Sequence, residues 1–357
     1  MLSSARETVF INRLFYSAGA LGHLSTALKP FKRAAVLIDS YFERSRHSIL
    51  DQLRPQDLVL YIDNTHEPTV EAIDQVAAKL RDEKQTFDVI IGMGGGATLD
   101  TAKAISILLT NPGSASEYQG WDLVKNPALY KIGIPTLSGT GAETSRTCVM
   151  TNKKKNIKLG MNSDQSVYNY LILDPELSAT VPMDQYFYTA MDTYIHCVES
   201  LQGNFRHPLA DPFSHQALEM VEAVFTDANP MSLPNRERVM TASFLGGAAI
   251  ANTYVGVVHP LSAALSVVFG THHCQANCIV MNVMEEFYPK AFGTFQKMLK
   301  TFKIGLPTGL CKNLPEETFK RLYDATVCHE KPLTNALGQN FKEVLTYEKV
   351  KSLFARM

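Results

Sequence analysis

Asp192 and His196 stand four residues apart in AMDTYIHCVES, and His259 and His273 stand fourteen apart in VVHPLSAALSVVFGTHH. On a helix the first pair puts a carboxylate and an imidazole on one face about 6 Å apart, within reach of one ion. Fourteen residues of unbroken helix would hold the second pair about 21 Å apart, whereas two ligands of one metal each sit about 2 Å from it. The helix must therefore break between them. Phe269-Gly270-Thr271 offers the break, because glycine takes up the left-handed conformation that ends helices. One Asp and three His make a mixed oxygen and nitrogen donor set that suits zinc or ferrous iron better than magnesium or calcium. Taken singly, an i,i+4 Asp/His pair is more often a surface ion pair, and a His in an apolar stretch is more often a hydrogen-bonded interior residue. Two such elements on apolar helices, where an unpaired polar group is costly, strengthen the metal reading.

A second chemistry is suggested by FDVIIGMGGGATLDTAKAI, a buried strand running through Gly94, Gly95 and Gly96 into a helix that begins near Ala97. Backbone N–H groups and a helix N-terminus arranged in this way receive phosphate. A later loop, IPTLSGTGAETS, adds the hydroxyls of Thr136, Ser138, Thr140 and Ser145. One glycine turn after a strand is often only a tight connection, and two after two strands favour a nucleotide cleft. Asp39 ends the run AAVLID, where a carboxylate can take the ribose hydroxyls of NAD and repel the extra phosphate of NADP. An N-cap for the following helix is an equal alternative for Asp39. Lys153 to Lys155 reads first as a solvated turn, and Lys158 beyond it is the more interesting cation for an anionic ligand.

The elements that must position these residues differ between the two halves. Short apolar runs (AAVLID, DLVLYID, FDVIIG, KIGIPT) alternate with helical stretches such as EPTVEAIDQVAAKLRDE, which predicts an α/β domain with a mainly parallel sheet. From about Tyr186 the chain is apolar-periodic with few strand signals, which predicts an all-α domain. The prolines between Asp174 and Pro182 mark the boundary, giving domains 1–178 and 179–357. The 357 residues are 45% apolar and 19% charged, enough for two cores. A net charge of -1 provides no basic field, so neither nucleic acid nor anionic membrane is an expected partner. The N-terminal stretch carries Arg6 but no continuous apolar core before Asn12, and no segment reaches membrane-spanning length, so a cytoplasmic protein without membrane insertion is expected. The six cysteines lack paired CxxC spacing and read as reduced thiols. Cys274 and Cys278 flank the proposed metal segment, with small-residue packing as their first reading.

With these pieces assembled, the chain resembles the iron-containing (group III) alcohol dehydrogenases from about Arg33 to about Tyr288. The family's GGGSxxDxAK corresponds to Gly94 through Lys103, and its PTTxGTGSE to Pro135 through Glu143. Its DxxxH corresponds to Asp192 and His196, and its late His pair with a following Asn to His259, His273 and Asn277. The resemblance implies the dehydroquinate synthase-like fold, in which an atypical Rossmann-like domain and a helical domain hold NAD(P) in a cleft, with NAD favoured here. It adds Ala97, Thr98, Asp100 and Leu137 to the cofactor-binding candidates, with Lys158, and assigns Fe2+ or Zn2+ to Asp192, His196, His259 and His273. It further implies a homodimer acting on a small-molecule sugar acid. The branch it most resembles oxidises the terminal C8 alcohol of 3-deoxy-D-manno-octulosonate (Kdo) to the aldehyde, for 8-amino-Kdo formation in lipopolysaccharide biosynthesis. A general NAD-dependent alcohol or diol dehydrogenase and a dehydroquinate-synthase-like lyase are the alternatives. The final electron acceptor is NAD(P) or dioxygen. The family's additional His, four residues after the first of the late pair, is Ala263 here, which leaves His272 or water as proton acceptor. Ala97 and Ala142 replace family serines, and Met191 a family glycine.

Overall fold

The computed structural model describes residues 10–43 and 48–357. The stretch around Arg6 inspected for a leader lies outside them. Two compact units emerge, one made of the described residues up to Lys154 with Leu159–Thr180, the other of Lys155–Lys158 with Val181–Met357.

The first unit carries strands β1 (Arg13–Tyr16), β2 (Ala34–Asp39), β3 (Leu58–Ile62), β4 (Val89–Gly94), β5 (Gly120–Trp121), β6 (Tyr130–Pro135), β7 (Thr147–Asn152), β8 (Ile157–Asn162, from Leu159 onward) and β9 (Tyr170–Leu173). Its helices are α1 (Leu24–Ala27), α2 (Val70–Arg81) and α3 (Gly96–Leu108). Six strands form a parallel sheet in the order β1-β9-β6-β4-β2-β3. In β2, Ala35 and Leu37 pack with Val70, Ile73 and Ile105 on one face, while Ala34, Val36 and Ile38 pack with Leu24, Leu28 and Ile49 on the other. A strand covered on both faces reads as a continuous apolar run. The order turns back at β2 and β4, and the ladder pairs Ile38 with Met93, so Asp39 and Gly94 end neighbouring strands. Carboxyl ends of strands at such a switch point are where open α/β sheets bind ligands. Helix α2 starts where the Thr69 hydroxyl accepts the Ala72 N–H, and it buries Val70, Ile73, Ala77 and Leu80 at helical spacing. Sequence periodicity did not predict β1 or the small sheet β5-β8-β7.

The second unit contains α4 (Met183–Gln202), α5 (Asp211–Val224), α6 (Leu233–Asn252), α7 (Val258–Phe269), α8 (His273–Met281), α9 (Pro289–Phe302), α10 (Glu316–Val327), α11 (Glu330–Leu337), α12 (Phe341–Val344) and α13 (Tyr347–Ala355). Every residue of α4 from Tyr186 to Ser200 is buried. A helix enclosed on all sides is a core helix, and this one carries Asp192, His196 and Glu199 into the interior. Among the described residues no helix is long and apolar enough to cross a membrane.

Candidate functional site

Helix α4 presents Asp192 and His196 one turn apart. Helix α7 ends at Phe269, and Gly270 follows at φ 71°, the left-handed cap anticipated from the sequence. Helix α8 then starts at His273, so His259 near the start of α7 and His273 at the start of α8 are folded back onto the same centre. The donor atoms of Asp192, His196, His259 and His273 all lie within 4.8 Å of one another.

The separations fit an ion better than direct pairing. Asp192 Oδ1 is 3.5 Å from His196 Nε2 and 3.4 Å from His259 Nε2, and Asp192 Oδ2 is 3.6 Å from His273 Nε2. Good charge-assisted hydrogen bonds are shorter than this. Two donors about 2.1 Å from a common ion, at a tetrahedral angle, stand about 3.4 Å apart. The His196 and His259 rings stack with centroids 4.6 Å apart, which fixes both faces of that corner.

Around this set lies a second layer, in which Asn277 and Cys274 were singled out in the sequence and Glu199 was not. The Glu199 carboxylate accepts the Val258 N–H at 2.6 Å and pairs with His259 Nδ1. With its proton on Nδ1, His259 turns a bare Nε2 toward the centre. Asn277 Nδ2 donates to Asp192 Oδ1 at 2.7 Å, and the Cys274 thiol approaches Asp192 Oδ2 at 3.4 Å. A signal for Glu199 was present, since it lies three residues after His196 and seven after Asp192 on a helix with no polar face. A fully buried carboxylate there demands a partner.

Electrostatics favour a cation at the centre. Burial opposes ionisation of Asp192, but the imidazoles of His196, His273 and His259 outweigh it and hold the carboxyl well below its usual range. Burial pushes His196 down to about 4, so it offers a neutral nitrogen at neutral pH. Burial would do the same to His259, yet Glu199 and Asp192 raise it to about 9. In the metal-free protein a proton on His259 thus supplies the positive charge, and an incoming ion must displace it.

His272, the sequence-based candidate for proton transfer, is the exposed N-cap residue of α8 and does not belong to the four-donor group. Lys158, also read as a ligand-facing cation, is buried with its ammonium 3.4 Å from Ser266 Oγ on α7.

In the sheet unit the two glycine loops meet. Thr136 N–H donates to the Gly94 carbonyl at 2.9 Å. A Cβ on Gly94 would strike Thr98 and come within 3.0 Å of Asp39 Cβ, and one on Gly96 would lie 2.8 Å from Thr140 Oγ1. These two positions must therefore lack side chains for the loops to close. Gly95 caps α3 without a side-chain bond, and Gly96 and Ala97 keep partial exposure, so first-turn N–H groups remain open to an anion. Ser138 Oγ is enclosed with no hydrogen-bond partner among the described residues, while Leu137 flanks Gly95. Of the two roles considered for Asp39, the structure displays the cap. One carboxylate oxygen caps the following turn through Tyr41 N–H, and the other accepts from Asn64, which also reaches Thr98. Nothing in the sequence singled out Asn64. Asp100 and Ser145 turn elsewhere. Asp100 Oδ2 accepts the Val149 N–H at 2.9 Å, and the buried Lys103 ammonium binds Ser145 Oγ and the Thr147 carbonyl, fastening β7 to α3.

Comparison with known proteins follows this division. Residues 12–175 match the iron-containing alcohol dehydrogenase family, and residues 186–327 match the C-terminal domain of the Fe-containing alcohol dehydrogenase family. A sulfoacetaldehyde reductase of Bilophila wadsworthia is 37% identical over 212 residues, covering 58% of this chain and 54% of that protein, so the match spans about half of the relative's length. The NAD-dependent methanol dehydrogenase of Bacillus methanolicus is 27% identical over 74% of this chain and 71% of its own. Among solved structures, a 1,3-propanediol oxidoreductase superposes with TM-score 0.83 at 23% identity, over 98% of each chain. An alcohol dehydrogenase from Oenococcus oeni superposes with TM-score 0.85 at 21% identity, over 98% of this chain and 99% of that one. At these identities the structural likeness concerns the fold, which is the one expected from the sequence. With both of its halves matched, the chain belongs to the iron-containing alcohol dehydrogenase family.

Proposed function

We propose that the chain is a metal-dependent, NAD-linked oxidoreductase acting on the CH–OH group of a primary alcohol. The observation that carries this reading is the convergence of one carboxylate and three imidazoles, with separations suited to a single divalent ion. Such an ion, when bound, supplies Lewis acidity that favours loss of the hydroxyl proton. Asp192, His196, His259 and His273 hold it, and Glu199 and Asn277 fix the directions of His259 and Asp192. Gly94, Gly95, Gly96 and Ala97 offer backbone N–H groups to the cofactor diphosphate. Thr98, Thr136, Leu137, Ser138 and Thr140 wall the loops, Lys158 takes an anion, and Asp39 takes the adenosine ribose. Asp100 and Ser145 act on this cofactor only by shaping the loops. On this reading 1–178 is the dinucleotide-binding domain and 179–357 the metal- and substrate-binding domain, in a cytoplasmic homodimer.

For the substrate, the finer reading is the C8 alcohol of Kdo, supported by the sequence resemblance. The acid end of Kdo needs a cation, and two arginines available from the sequence are already engaged. Arg146 pairs with Asp122 and Asp164, and Arg206 with Asp211. We therefore place the general alternative, a dehydrogenase of small alcohols and diols, ahead of the sugar acid. Sulfoacetaldehyde is an anionic aldehyde, and the likeness to its reductase adds the corresponding hydroxysulfonate to the test. Reduced-nicotinamide absorbance should rise with NAD, Fe2+ or Zn2+ and a short primary alcohol, diol or hydroxysulfonate. Turnover of Kdo alone would restore the finer reading, and absence of turnover with every alcohol would remove the proposal.

A further inference from the structure

Position 263 is where this chain lacks a group that the reaction needs. Helix α7 presents His259, Ala263 and Ser266 at i, i+4 and i+7, one face of the helix. These three keep 9%, 7% and 6% exposure, whereas Leu261, Ser262, Ala264 and Leu265 between them keep none, so the three look onto a common opening. An alanine in the middle of this stripe has no proton-accepting atom.

We propose that His329 fills that role, reaching the opening from another part of the helical unit and accepting the proton of the substrate hydroxyl on its ring nitrogen. The inference rests on the alcohol-oxidising reading above. His329 is the N-cap residue of α11, at the junction with α10, and both helices pack against α7. Its Nε2 is enclosed and has no hydrogen-bond partner among the described residues, although the residue as a whole retains some exposure. Such an atom is the kind that a ligand satisfies. Two charges act on the ring, the Lys158 ammonium beside Ser266 and the His259 imidazole. These mark the two ends of the α7 stripe, and the helices that flank His329 pack on that same helix. Burial first, then these two charges, hold His329 down to about 4, which leaves its lone pair available at neutral pH.

In the step assigned to it, the O–H and carbinol C–H bonds break and a C=O bond forms. The hydride and its electron pair go to the nicotinamide of NAD, which is reduced, and the proton goes to His329 Nε2. Exposed His272 then has no part in the transfer.

The test uses the metal-loaded protein with NAD. His329→Ala should lower kcat for the best alcohol about a hundredfold or more, with metal content and NAD affinity unchanged. Added imidazole should return part of the rate, and so should Ala263→His placed in the His329→Ala protein. A readout without turnover is the 15N NMR signal that disappears in His329→Gln. It should shift when trifluoroethanol, a poorly oxidised alcohol, is added to the unmodified protein. Full kcat in His329→Ala, a loss relieved by neither rescue, or an unmoved ring signal each overturns the assignment. Lack of turnover by the unmodified protein overturns the functional reading instead, and the NMR signal still decides whether His329 meets an alcohol.

Discussion

The proposed metal-binding cluster and the glycine loops solve opposite problems. In the helical unit, charged side chains are driven into an apolar core and held by one another, so each donor acts through atoms of its own. In the sheet unit, the groups proposed to meet the cofactor are backbone N–H donors, and Gly94 and Gly96 contribute by having no side chain. Deleting atoms should damage the first region, and adding atoms should damage the second.

The largest expected effect comes from His273→Ala. His273 is the most exposed of the four donors, at 29% for its side chain, so its removal leaves the core of α4 filled. Bound metal, measured by elemental analysis, should fall to background, and kcat/KM should drop roughly a thousandfold or more, several kcal/mol of barrier. Full metal and activity in this variant would dissolve the proposed centre.

Next comes Glu199→Gln, which keeps the shape of the side chain but replaces the charge opposite His259 Nδ1. Metal affinity, measured by competition with a chelator, should weaken about tenfold to a hundredfold, while NAD affinity stays the same. An unchanged affinity would mean that the geometry of α7, not Glu199, aligns the ring.

The complementary experiment is Gly96→Val. Its added Cβ meets Thr140 within 3 Å, and accommodating it should cost about 1 to 3 kcal/mol. Calorimetry should show NAD binding weakened about tenfold or more with metal content intact. Loss of metal in this variant, or loss of NAD binding in His273→Ala, would erase the contrast between the regions.

The smallest effect belongs to Asp39→Gly. One Asp39 oxygen already serves Tyr41 and the other Asn64, so the carboxylate influences a ribose without being free for it alone. The preference for NAD over NADP, read from the ratio of kcat/KM values, should narrow by a few-fold to about tenfold. Tighter use of NADP by the unmodified protein would reverse the assignment.

What the sequence made legible follows local rules. The Asp192/His196 spacing, the break at Gly270 and the apolar runs of β2, β4 and β6 each depend on residues within a few positions, and each folds as read. The parallel sheet and helical second half follow for the same reason. Partnerships across the chain were not legible: Glu199 meets His259 over 60 positions, and Asn64 meets Thr98 over 34. Arg146 and Arg206 show the same blindness from the other side. In the sequence each stands as an isolated cation, and only the fold reveals the aspartates that occupy them. Strand β1 escaped notice because its residues are all exposed, so it lacks the alternation by which a half-buried strand is recognised.

Asp192 and Asn277 are joined across 85 positions, which has a consequence for biosynthesis. A nascent chain cannot close this cage until Asn277 has left the ribosome, so the centre belongs to the late, high-separation part of folding. An ion that recognises only the closed cage draws the chain toward the folded state by mass action, about 2.7 kcal/mol when free ion is at a hundred times its dissociation constant. Iron or zinc scarcity would then reduce how much of the protein survives proteolysis, as well as how fast each copy works.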